Sequence, residues 1–90
     1  NLPDYYPKEF SYGGVIESAD LGGSRLRIGK LEYIIASSIK VYTPTNANAS
    51  ILDLKKGSIV GYDFFYNEMK QRVIVSIWVL SDTKLLPEKG

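Results

Sequence analysis

The sequence predicts an all-β fold: a five-stranded OB-like or SH3-like small barrel, with one short helical turn between the third and fourth strands. Three observations lead there. Short segments alternate apolar and polar residues with period two, glycine-rich or polar turns punctuate them, and no stretch carries helical periodicity long enough for a helix of ordinary length. The 90 residues fit one domain, divided into an N-terminal arm (1–11), the barrel (12–80) and a C-terminal tail (81–90).

The arm holds Pro3 and Pro7 among Asp4, Tyr5, Tyr6 and Phe10. That composition resists helix but has enough aromatic surface to dock, either on the barrel or on a partner. Tyr12 to Ala19 reads as the first strand, with Gly13 and Gly14 offering a bulge or bend where a small barrel curves. Asp20 to Gly23 makes a turn, and Arg25, Leu26, Arg27 and Ile28 then alternate as a half-buried second strand. After the tight turn at Gly29 and Lys30, a long third strand runs from Leu31 to Tyr42 and kinks at Ser37 and Ser38.

Thr43 to Ser50 is small and polar, which predicts a surface loop. Ser50 then caps a single helical turn, with Asp53 three residues on and Gly57 closing it. Ser58 to Tyr66 and Arg72 to Leu80 are the fourth and fifth strands, β-branched and aromatic, joined by the five residues Asn67 to Gln71. Alternation points Ile16, Leu26, Ile28, Tyr33, Ile35, Val41, Leu54, Val60, Tyr62, Val73, Val75, Ile77 and Val79 inward. The fifth strand is apolar on both faces. Its outer residues Ile74, Trp78 and Leu80 need a second layer, from the arm, from Leu85 and Leu86 in the tail, or from a second molecule.

Composition narrows the chemistry. The chain contains neither Cys nor His, which removes thiol nucleophiles, imidazole bases and most zinc, copper and haem sites. The carboxylates Glu17, Glu32, Asp53, Asp63 and Glu68 show no spacing that converges two of them, so no catalytic residue, cofactor or metal is expected and the chain reads as a non-enzyme. A formal charge of +1 is far from the balance of a protein that binds by neutralising phosphates. The longest apolar runs are too short to cross a bilayer as a helix, which takes about 20 residues. Gly13-Gly14 and Gly22-Gly23 lack the spacing of phosphate loops, and Asn48-Ala49-Ser50 reads as a chance glycosylation triplet. The start at Asn1 and the missing cysteine are compatible with an exported, periplasmic or extracellular chain.

The segments GGVIES, RLRIGKLEYII, ILDLKKGSIVGYDF and VIVSIWVL, spanning residues 13 to 80, resemble a group of small exported bacterial OB-like barrels. The group includes an accessory protein of type IV fimbrial biogenesis. The matching positions, Gly14, Ile16, Ile28-Gly29, Tyr33, Leu54 to Gly57, Val60, Tyr62 and Ile77 to Leu80, are structural and carry over no functional residue. The resemblance implies an exported protein acting through protein contacts in envelope or pilus assembly.

The leading expectation is therefore a protein-interaction module that binds another protein or itself through the fifth-strand surface or a free sheet edge. Its candidate contacts are Trp78, Phe65, Ile74, Tyr5, Tyr6 and Phe10. The alternative is an OB-fold surface for single-stranded nucleic acid, using Arg25, Arg27, Arg72 and Phe65. A small-molecule carrier would need a cavity that a five-stranded barrel hardly encloses.

Overall fold

Because the apolar side of each predicted strand needs a shared interior, the strands roll into a closed barrel. The computed structural model describes residues 2–81. Its elements are β1 (Tyr12–Asp20), β2 (Arg25–Ile28), β3 (Leu31–Thr43), β4 (Asn46–Ala49), a 3-10 turn (Ile51–Asp53), β5 (Ile59–Tyr66) and β6 (Arg72–Leu80). β1 pairs with β2, β2 with β3, β3 with β6, β6 with β5, and β5 with β1. Only the β3–β6 pair is parallel, and β4 is an extra strand on the far half of β3. The result is a small OB-like barrel. The first half of β1 pairs with β5 and the second half with β2, and a register break between Ile16 and Ser18 turns the strand round the barrel corner.

The interior contains Ile16, Leu26, Ile28, Tyr33, Val41, Leu54, Val60, Tyr62, Ile74 and Ile77. Ile35 and Val79 pack on its margin as alternation predicts. Within the core the Tyr33 and Tyr62 hydroxyls hydrogen-bond at 2.5 Å, so each phenol carries its polar end inward with a partner.

Four expectations need correction. First, Thr43 to Ser50 is not an unstructured loop, because Asn46–Ala49 pairs with β3. Asn and Ala are poor strand formers, and only the neighbouring backbone of β3 makes a strand of them. Second, the helical turn ends earlier than Gly57. The Ser50–Asp53 capping box is present, but Leu54 is already extended, and Gly57 serves the next turn at φ +93°. Third, the β1 irregularity falls at Glu17, not at the glycine pair. Gly14 is needed for close packing instead, since a Cβ there would lie 2.8 Å from Ile28 Cγ2.

The fourth correction concerns β6. Asp63 pairs with Ser76 but Phe64 pairs with Ile74, so Val75 is an extra residue opposite β5. A bulge reverses the parity of everything before it. Ile74 therefore points into the core, fully buried, while Val73 and Val75, both expected inward, lie outside the core cluster, Val73 buried within the outer wall and Val75 half-buried. The matching irregularity on β3 falls between Ile35 and Lys40, over the predicted serine kink.

Candidate interaction surface

Cross-strand register arranges the barrel's outer wall in rows. Gly61 of β5 faces Trp78 of β6, which faces Tyr42 of β3; further along, Asp63, Ser76 and Lys40 form a polar row. Beyond the bulge, Phe65 faces Val73, Val73 faces Ile34, and Ile34 faces Arg25 of β2. Two apolar zones thus flank a polar stripe.

The chain's own arm covers the first zone. Tyr6, Phe10 and Leu80 form a second buried cluster, with Leu2, Tyr42, Ile59 and Trp78 packed against it. Trp78 lies between a stacked Tyr42, 5.5 Å away and 9° from parallel, and a tilted Phe10 at 5.8 Å. Gly61 makes this possible. A Cβ there would sit 2.4 Å from Phe10 Cδ1, so the missing side chain is the slot that holds the ring. Tyr6 donates its hydroxyl to the Val79 carbonyl (2.5 Å) and reaches that of Tyr42 (3.1 Å), and Tyr5 donates to that of Thr43 (2.5 Å). Burial, and then the neighbouring Tyr5, push the Tyr6 phenol up to about 12.

The second zone has no such cover among the described residues. Phe65 is 51% exposed. On the adjoining β5–β6 hairpin Tyr66 and Met69 are exposed too, and Arg72 places its guanidinium 6.0 Å from the Tyr66 ring centre. Leu31 is exposed where parallel β3 and β6 begin, and Tyr12 is exposed at the start of β1, against Phe64. An aromatic chain runs from the core to this surface: Tyr33 and Tyr62 contact Phe64, and Phe64 contacts Tyr12 at 4.7 Å and Tyr66 at 5.4 Å. Burial and the hydrogen bond with Tyr33 hold the Tyr62 phenol well above its ordinary range.

The six residues expected to meet a partner are therefore separated. Tyr5, Tyr6, Phe10 and Trp78 come together, but in contact with one another: Tyr6 and Phe10 are buried and Trp78 is half-buried. Ile74 belongs to the core and leaves the set because of the Val75 bulge. Phe65 alone stands free in the second zone. Of the nucleic-acid set, Arg25 and Phe65 end one row, Arg27 shares the β2 face, and Arg72 packs on Tyr66. Glu32 lies opposite Arg27 and 3.9 Å from Arg25, an exposed carboxylate that lowers the local positive potential.

Sequence reasoning missed Gly61, Tyr42, Ile34 and Met69. Gly61 was readable, because a glycine inside a strand marks close approach of something to the backbone. Tyr42 follows from alternation after Val41. Leu85 and Leu86, the other candidates for the second layer, lie outside the described residues. The free edge is short, and the Asn48 N–H on it is already satisfied by the Asn46 side-chain oxygen at 2.8 Å. No helix among the described residues is long and apolar enough to cross a membrane, and no group of three or more acidic side chains among them gathers to hold a metal. The chain matches no family model, no curated protein and no solved structure.

Proposed function

We propose that this barrel is a non-enzymatic protein-interaction module whose contact surface is the outer-wall row ending at Phe65, which has no cover among the described residues, together with the hairpin rim beside it, Tyr66, Met69 and Arg72. One observation supports it above the others: of two apolar zones on one outer wall, the arm covers only one. Phe, Tyr, Met and Arg are the residue types enriched where protein partners meet; here Phe65 lies on the outer wall opposite a buried Val73, and Tyr66 and Arg72, the next pair along the same strands, form the adjoining rim with the exposed Met69 of the hairpin. The resemblance to small exported bacterial barrels supports placing the contact in envelope or pilus assembly, with another protein or a second copy of the chain as partner.

A photo-crosslinking phenylalanine at position 65 tests this in cells that make the protein, with exposed Leu52 as the control position. Discrete protein adducts at 65 and none at 52, lost on Tyr66→Ala, are expected. Light scattering of the purified chain then separates self-association from a different partner. Adducts of equal pattern at both positions, or none at 65, would overturn the reading.

The row from Arg25 to Phe65 also favours a second reading, single-stranded nucleic acid lying across β2, β3, β6 and β5. It predicts oligonucleotide binding that weakens steeply with salt. Glu32, beside both arginines, argues for protein as the first choice.

A further inference from the structure

The arm-covered zone has three properties that a closed core does not need. The arm adds no strand to the barrel; its own backbone bond, Tyr6 N–H to the Pro3 carbonyl, is internal, and the Tyr5 and Tyr6 hydroxyls hydrogen-bond it to the barrel. Phe10 occupies a slot created by a missing side chain at Gly61. Between Phe10 and Tyr42, the Trp78 indole has its Nε1–H buried without an acceptor among the described residues. A buried donor left unpaired makes the present occupant an imperfect one.

From these observations we infer that the Gly61–Trp78–Tyr42 groove is a second recognition site, for an extended partner segment that displaces residues 2–11. The segment carries an aromatic side chain into the Gly61 slot and brings a hydrogen-bond acceptor, a side-chain amide or carboxylate oxygen, to Trp78 Nε1. The arm displays the first requirement in its own sequence, with Tyr6 and Phe10 four residues apart on a chain stiffened by Pro3 and Pro7. The unpaired indole supplies the second. Exchange breaks no strand pairing, so it leaves the barrel intact. An open groove of about 550 Å³ along the arm, lined by Leu2, Pro3, Tyr6 and Pro44 among others, gives an incoming segment a place to start. This site is separate from the Phe65 surface, and either can fail without the other.

The test uses the full chain and synthetic peptides. One peptide has the sequence of residues 2–11, and a panel replaces each of its positions in turn by Asn or Gln. Because the chain has a single tryptophan, its indole N–H resonance is an unambiguous reporter. The Phe10→Ala chain should bind the parent peptide, and adding Gly61→Ala should weaken binding at least tenfold. At least one acceptor-bearing peptide should bind the unaltered chain tenfold more tightly than the parent and move the indole proton downfield. If Phe10→Ala does not fold, Tyr6→Phe, which loosens the arm but keeps its ring, takes its place. The inference is overturned if the loosened chain binds no peptide of the panel, if Gly61→Ala leaves binding unchanged, or if no peptide moves the indole proton.

Discussion

Gly61→Ala is the most informative single change, because it adds one methyl group where the structure has no room for it. Gly61 lies inside β5 and is not among the positive-φ residues, so alanine meets no backbone strain there. Strand propensity would even favour it slightly. The whole cost should come from the Phe10 ring, whose Cδ1 and Cγ would lie 2.4 and 2.6 Å from the new Cβ. Phe10 is 8% exposed, and expelling a buried phenylalanine returns about 2–3 kcal/mol of apolar transfer energy. Phe10→Ala alone should cost about the same.

The decisive assay is the double-mutant cycle, by urea denaturation followed through Trp78 fluorescence. In the Phe10→Ala background the added methyl group has nothing to strike, so Gly61→Ala should then cost under about 0.5 kcal/mol, a coupling of about 2 kcal/mol. The single glycine variant should also red-shift the folded-state emission, as the ring over Trp78 leaves. Additive costs would refute the assignment of Gly61 as the slot for Phe10 and would put the damage in the barrel itself.

The same logic gives three further expectations. Tyr33→Phe or Tyr62→Phe should destabilise by about 1–2 kcal/mol by leaving one core hydroxyl unpaired, and the double variant should recover much of that, measured by denaturation. Stability should decline on the alkaline side. Tyr6 ionises near 10 when unfolded but at about 12 when folded, so its contribution is whole below pH 10 and lost between 10 and 12, with a slope of up to about 1.4 kcal/mol per pH unit. Tyr62, held higher still, loses its contribution over the same range, so Tyr6→Phe should remove about half of the combined slope in denaturation curves taken from pH 10 to 12. Ser50→Ala should cost about 1 kcal/mol by removing the side-chain cap that accepts from Leu52 N–H, seen as a lowered melting temperature with the barrel intact.

Most of the barrel was legible in the sequence. Period-two alternation in β2 and β5 fixes which side chains face inward, since a strand has only two sides, and turn chemistry separates the strands. The five residues Asn67 to Gln71 do form the β5–β6 connection, where the Asn67 side chain accepts from Met69 and Gln71 N–H. The excess apolar surface on β6 was also readable, as was the arm's aromatic content.

Three-dimensional packing decided the rest. The Val75 bulge moved Ile74 from the wall to the core, and no local signal marks it, because Val73 to Val75 is uniformly apolar and a bulge is selected by the coiling of neighbouring strands. β4 exists only because β3 offers it a backbone to pair with. The sequence by itself determined that this chain forms a small β-barrel with more apolar surface than its core can absorb. That the arm spends that surplus on Trp78, while Phe65 at the end of the second row has no cover among the described residues, follows from contacts between residues far apart in the chain, such as Phe10 with Gly61, which local periodicity does not encode.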